Sequence, residues 1–189
     1  MKKSVLALAV VGFIGITSAF GPVVTKFVTK TAHINFYSHT AVEDISADNY
    51  KVVSTLDVAS GDVVFSVPMQ SFEFPKAKMQ EHYNSAKFLD TKQFPKAKFK
   101  GKIDNLGDID FSKDGTYDAT VSGELTMHGV SNKVTEKGSV TIKGATITVD
   151  TKMTVTLGDY KIAFAKGKPS TNIAKSVDIT VKAEYSVAN

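Results

Sequence analysis

The stretch Tyr117–Met127, YDATVSGELTM, puts Tyr117, Ala119, Val121, Gly123, Leu125 and Met127 at alternate positions, with Asp118, Thr120, Ser122, Glu124 and Thr126 between them. A period of two means a strand with one buried face and one wet face; a helix would need apolar residues at i, i+3 and i+4. The same rhythm recurs downstream. In Ala145–Leu157, Ala145, Ile147, Val149, Met153, Val155 and Leu157 share a face whose one polar member is Thr151. In the closing segment Val177, Ile179, Val181, Ala183, Tyr185 and Val187 alternate with polar residues.

Shorter strands are expected between these. Ala97, Phe99, Gly101 and Ile103 alternate with Lys96, Lys98, Lys100 and Lys102. Val63, Phe65, Val67 and Met69 form a second short face, and Tyr50, Val52, Leu56 and Val58 a third. Ile34 and Phe36 predict an early strand, Val134–Ile142 and Tyr160–Phe164 later ones. Turn signals at Ser60-Gly61-Asp62, Lys113-Asp114-Gly115, His128-Gly129, Lys143-Gly144 and Gly158-Asp159 separate them. The links at Lys143-Gly144 and Gly158-Asp159 are short enough to predict antiparallel hairpins. The expected fold is all-β, an antiparallel barrel of eight strands or slightly more, because closure removes exposed edges. Such a barrel either fills with side chains or holds one small ligand.

Ser71–Pro95 breaks the pattern. Met79, His82, Tyr83 and Ala86 lie at helical spacing, so a short helix around Lys76–Ser85 is expected within a long loop. Phe72, Phe74, Phe88, Leu89 and Phe94 flank it, as either a plug completing the core or a lid lining an entrance.

The chain has 189 residues, 23 basic and 19 acidic side chains and no cysteine, which suits one domain. Without cysteine there is no disulfide framework, thiolate nucleophile or Cys-bound zinc. All the basic residues are lysine, and lacking arginine's planar fork the chain is not expected to bind nucleic acid. Lys2 and Lys3 precede the apolar run Val5–Ile16, and Thr17, Ser18 and Ala19 follow it. This reads as a signal peptide over residues 1–19, preceding a barrel domain over 20–189, and predicts a periplasmic or secreted protein. The apolar run would rise only about 18 Å as a helix, short of a hydrocarbon core about 30 Å thick.

No nucleophile elbow, phosphate loop or compact metal-ligand spacing is present, so no catalytic residues, metal ligands or cofactor are expected. His39 with Glu43, or Glu81 with His82, would need a third ligand from the fold; a metalloenzyme using His33, His39 or His82 with Glu43 is one rival reading. His128 is expected to end a strand and bond nearby backbone at the turn. The lysines at 96, 98, 100 and 102 form a solvated face or one that touches anionic lipid.

The inward faces mix small residues with large ones and carry few charges, Glu136 being the doubtful case. Either the barrel is filled, as in a stress-response or surface-interaction protein, or an apolar channel holds a neutral, water-insoluble ligand. For the second reading Phe65, Phe99, Tyr117, Val121, Gly123, Leu125, Val149, Met153 and Leu157 are the expected walls. Phe72, Met79 and Phe88 are the expected gate. A phenylalanine at Gly123 is expected to reduce uptake while sparing the fold.

The segments FYSHTAVEDISADNY (Phe36–Tyr50), DVASGDVVFSVPMQSFEF (Asp57–Phe74) and MQEHYNSAKFLDTKQFPKAKFKG (Met79–Gly101) carry a family resemblance. It continues through GTYDATVSGELTMHGVSNKVTEKGSVTIKG (Gly115–Gly144) to the closing DITVKAEY. The chain resembles the YceI-like family of exported, lipocalin-like, polyisoprenoid-binding barrels. FPKAKFKG followed at this distance by GELTMHGV is the most specific part. The resemblance implies a barrel around a long isoprenoid chain, with a loop and short helix near one end. It implies a carrier or store for an amphiphilic lipid such as an isoprenoid quinone in the periplasm. Separately from the resemblance, transient membrane contact through the lysine face and a homodimer are expected. If arginine anchors the headgroup in relatives, that task here falls to Lys, Tyr, Asn or backbone.

Overall fold

In the computed structural model, which describes residues 24–162 and 173–188, the alternating segments become eight strands. They are β1 (Lys26–His39), β2 (Asp44–Asp57), β3 (Asp62–Pro68), β4 (Lys96–Ile103), β5 (Gly115–Met127), β6 (Val130–Lys143), β7 (Thr146–Thr156) and β8 (Ser176–Val187). Each pairs antiparallel with the next, and β8 pairs back onto β1 to close the barrel. Helix α1 (Ala77–Asn84) stands in the loop between β3 and β4, where the spacing of Met79, His82 and Tyr83 predicts it. The expected signal peptide lies outside the described residues.

Two-residue loops make the tightest hairpins. Met127 pairs with Val130, and the intervening His128 and Gly129 both have positive φ, +50° and +74°. That geometry matches the right-handed twist of the flanking strands. His128 Nδ1 donates to the Tyr160 carbonyl 3.1 Å away, so this histidine ties the turn to a distant backbone segment rather than to its own.

Three expectations fail locally. Gly158-Asp159 belongs to a 3-10 turn at Leu157–Tyr160 instead of a tight hairpin, and β7 reaches its antiparallel partner β8 through a long link. Lys161 then turns into the left-handed region, so Tyr160–Ile162 is no strand, and Ala163 and Phe164 lie outside the described residues. On β2, Tyr50 does not share a face with Val52 and Leu56: it is 52% exposed while both of those are buried. The cause is a pair of irregularities that face each other. Thr29 pairs with Ser54 and Ala32 with Val52, which leaves Lys30 and Thr31 opposite Val53 alone. Ile34 then pairs with Asn49, leaving Tyr50 and Lys51 opposite His33 alone. Each extra residue reverses the inward parity of its strand. Tyr50 consequently stacks on His33 outside the barrel, with ring centroids 4.5 Å apart.

The interior differs between the two barrel ends. At the end bearing the hairpin loops after β2 and β6, Tyr185 is 1% exposed and packs with buried Ile103, Ile142 and Ile147. The buried Ser54 donates to the Val64 carbonyl at 2.9 Å, so the Tyr185 hydroxyl, 2.6 Å away, donates to Ser54 Oγ. This packed end is the floor. At the opposite end the β3–β4 loop folds over the barrel mouth, burying Phe72, Tyr83 and Leu89.

Candidate functional site

Above the floor the barrel encloses a cavity of about 620 Å³, within the roughly 300–1,000 Å³ of small-molecule sites. Its walls come from all eight strands. Phe65 and Phe99 line it from β3 and β4, Val121 and Leu125 from β5, Val149 and Met153 from β7. Leu157 also lines it, from the 3-10 turn after β7 instead of from a strand. Phe72, Met79 and Phe88, the expected gate, line its covered end. The interior is hollow above the floor, contrary to a barrel packed solid with side chains.

Tyr117 and Gly123 are not among its lining residues. Tyr117 keeps the inward parity of β5 but sits toward the packed end, paired with Val140, and its hydroxyl donates to the Lys113 carbonyl. Gly123 faces Gly101 across β4 and β5, and the Phe99 ring lies over both. A Cβ at Gly123 would fall 2.5 Å from Gly101 Cα and 2.7 Å from the Phe99 ring, and closer still to the Lys100 carbonyl oxygen. The paired glycines therefore seat an aromatic ring instead of leaving open channel, and a phenylalanine at Gly123 would not spare the fold.

Residues absent from the sequence-based set complete the site. Ile34 and Phe36 contribute from β1, Ile179 and Val181 from β8. At the mouth Phe36 stacks on Tyr83 at 5.9 Å, and Phe74 packs on Tyr83 at 4.9 Å. This cluster fixes α1 to the barrel wall, and burial holds the Tyr83 hydroxyl well above the usual tyrosine pKa. Alternation in β8 already marked Ile179 and Val181 as inward. For β1 the sequence shows only the isolated pair Ile34 and Phe36, because the irregularity at Lys30–Thr31 hides its parity.

Charge is sparse on the cavity wall. Glu136 lies where β6 and β7 part, since their pairing runs only from Gly138↔Thr151 to Lys143↔Thr146. Partial burial raises its carboxyl above the ordinary range. Glu43 lines the covered end with Lys76 3.6 Å from its carboxylate, and Lys87 and His82 are exposed there. Among the described residues no group of three His, Asp or Glu side chains gathers as a metal site. His33 is held by Asp48 at 2.7 Å and His39 by Asp44 at 2.6 Å, in separate pairs.

A closed antiparallel barrel, an apolar hollow and a helix-bearing loop over one end define a lipocalin-like barrel. Residues 24–185 match the family described as YceI-like domain, and the chain belongs to that family. A UPF0312 protein of Pseudomonas putida is 32% identical over 112 residues, 56% of this chain and 53% of the relative. The chain thus spans about half the length of these Pseudomonas relatives. A UPF0312 protein of Vibrio cholerae is 27% identical over 142 residues, 71% of each chain. Among solved structures, a polyisoprenoid binding domain from Saccharophagus degradans superposes with a TM-score of 0.72 at 13% identity, covering 87% of this chain and 99% of that one. Burkholderia cenocepacia BcnA superposes at 0.68 and 19% identity, covering 82% and 96%. At these identities the two likenesses establish the fold.

Proposed function

We propose that this protein is an exported carrier that sequesters a neutral isoprenoid-type lipid, such as an isoprenoid quinone, and performs no chemistry on it. The cavity carries this reading: about 620 Å³ walled mainly by aliphatic and aromatic side chains, closed below by Tyr185 and covered above by α1. Empty apolar volume forfeits dispersion contacts, so a hollow of this size in a natural fold argues for an occupant. Each methylene moved from water into it contributes about 0.8 kcal/mol before ordering costs are subtracted. The wall offers no buried cation to balance a charged ligand, among the described residues. A fold neighbour described as polyisoprenoid-binding supports the same reading. Loading at an anionic membrane would use the exposed face formed by Lys96, Lys98, Lys100 and Lys102.

Native mass spectrometry of the full chain purified from its own cell envelope tests this. An adduct that fragments to an isoprenoid lipid is the expected result, and the same spectrum reads the oligomeric state. A bare protein mass that stays bare after incubation with isoprenoid quinone would overturn the carrier reading. A stoichiometric metal adduct would instead favour an enzyme.

A further inference from the structure

Three hydroxyls on the cavity wall, those of Ser85, Thr151 and Tyr185, have partners within the protein. Ser85 Oγ donates to the His82 carbonyl at 2.8 Å, and Thr151 Oγ1 donates to the Lys137 carbonyl at 2.7 Å. Ser38 does not follow this pattern. It lines the cavity on β1, is 4% exposed, and its Oγ has no hydrogen-bond partner among the described residues. No other buried side-chain nitrogen or oxygen among the described residues is in that state. A buried hydroxyl left unpaired costs folding free energy, and an alanine at the same place would avoid that cost.

Position adds direction. With parity reset at Lys30–Thr31, β1 turns Ala32, Ile34, Phe36 and Ser38 inward, so the one hydroxyl comes last, at the covered end. Glu43 and the exposed Lys87 line the same end, whereas Leu56, Val63 and Ile103 line the cavity near the floor. Glu136, midway along β6, is only partly buried and stays accessible to water.

We propose that Ser38 is a headgroup-recognition residue: its hydroxyl donates a hydrogen bond to a neutral oxygen at the polar end of the isoprenoid lipid. The lipid then lies with its oxygen under α1 and its hydrocarbon tail against the Tyr185 floor. A neutral carbonyl or hydroxyl fits better than a phosphate, because one serine cannot offset phosphate charge and Lys87, the lysine lining the cavity, is exposed. This assignment rests on the carrier reading above and refines it to one end of the ligand.

The test compares farnesol with farnesene, an isoprenoid alcohol and its oxygen-free counterpart, on delipidated full-length protein by titration calorimetry or native mass spectrometry. Ser38→Ala should weaken farnesol binding about three- to tenfold, the worth of one hydrogen bond. Farnesene binding should not change, and Ser38→Thr should keep farnesol affinity. The unliganded Ser38→Ala protein should melt no lower than the wild type, since it loses an unpaired group. If Ser38→Ala leaves farnesol binding intact, or weakens both probes equally, the headgroup role is wrong while the carrier reading stands. If the wild type binds neither probe, the carrier reading fails and takes this assignment with it.

Discussion

The packed end and the covered end of the barrel are built from the same alternating strands, yet one is solid and the other hollow. Toward the floor, β6, β7 and β8 turn Ile142, Ile147 and Tyr185 to the axis, and all three are buried. Tyr185 reaches across the inner face of β1 to Ser54 on β2, tying together the two strands that flank β1. Toward the mouth, Phe36, Phe72, Phe74 and Tyr83 pack edge to face or stacked on one another in one cluster that caps the hollow beneath it. Alternation chooses the inward face; the bulk of the side chains on it, and the polar link that Tyr185 makes, choose whether that face closes. Stability should therefore reside at the floor and ligand capacity at the mouth.

The largest expected effect tests that division directly. Ile147→Ala deletes branched bulk from the packed end and should cost about 3 kcal/mol, lowering Tm by roughly 6–12 °C. Met153→Ala, on β7 farther up, removes atoms that already border the hollow, so fewer contacts are lost. About 1 kcal/mol is expected there, together with reduced retention of bound lipid. Denaturant titration of both variants reads the contrast. Equal costs would mean that the two ends are packed alike.

Gly123→Ala comes next. Its new methyl would press on the Lys100 carbonyl oxygen and Gly101 Cα, backbone held by the β4–β5 pairing, and on the Phe99 ring. Overpacking of this kind costs about 1–3 kcal/mol. Loss of stability, measured by thermal melts, should exceed any change in lipid binding; a stable variant with impaired binding would return Gly123 to the wall. Smaller again is Tyr185→Phe. It removes the hydroxyl that donates to Ser54 Oγ but leaves the bond from Ser54 to Val64, so about 1 kcal/mol should be lost. A cost near zero in chemical denaturation would show that the ring alone, without its hydroxyl, closes the floor.

Strand existence and the inward faces of β5, β7 and β8 are legible because each alternates over ten residues or more, with Thr151 the one polar residue on the inward face of β7. The helix is legible because the same window lacks alternation and has Met79, Tyr83 and their neighbours at helical spacing. What escapes is set by pairing between distant strands. The residues at Lys30–Thr31 and Tyr50–Lys51 look ordinary in sequence, and only the register between β1 and β2 reveals that they reverse parity. For that reason alternation alone groups Tyr50 with Val52 and Leu56 and gives no signal for Ser38. Gly123 misled for a related reason: a small residue on an inward face signals either open space or a neighbour's ring, and the Gly101 pairing decides between them. Of the expected wall and gate, the large side chains other than Tyr117 face the cavity, since size and parity together fix where a bulky apolar group goes.

Glu136 offers the smallest effect and the finest probe of the hollow itself. Its carboxyl is raised above the ordinary value of 4.5 because burial disfavours the charged form. A folded-state pKa above the unfolded one means that the group stabilises the fold below the unfolded value. That contribution is lost as pH climbs through the folded value. Wild-type stability should thus decline slightly from about pH 4.5 upward on account of this residue, once its carboxylate must ionise beside an apolar wall. Glu136→Gln removes the titration, so its Tm should exceed that of the wild type by about one degree near neutral pH and match it in acid. Partial exposure keeps the difference small, because water screens the charge. A variant that melts lower at neutral pH would mean that the carboxylate gains a favourable partner in the folded protein, and the cavity beside β6 would then be more polar than its lining residues indicate.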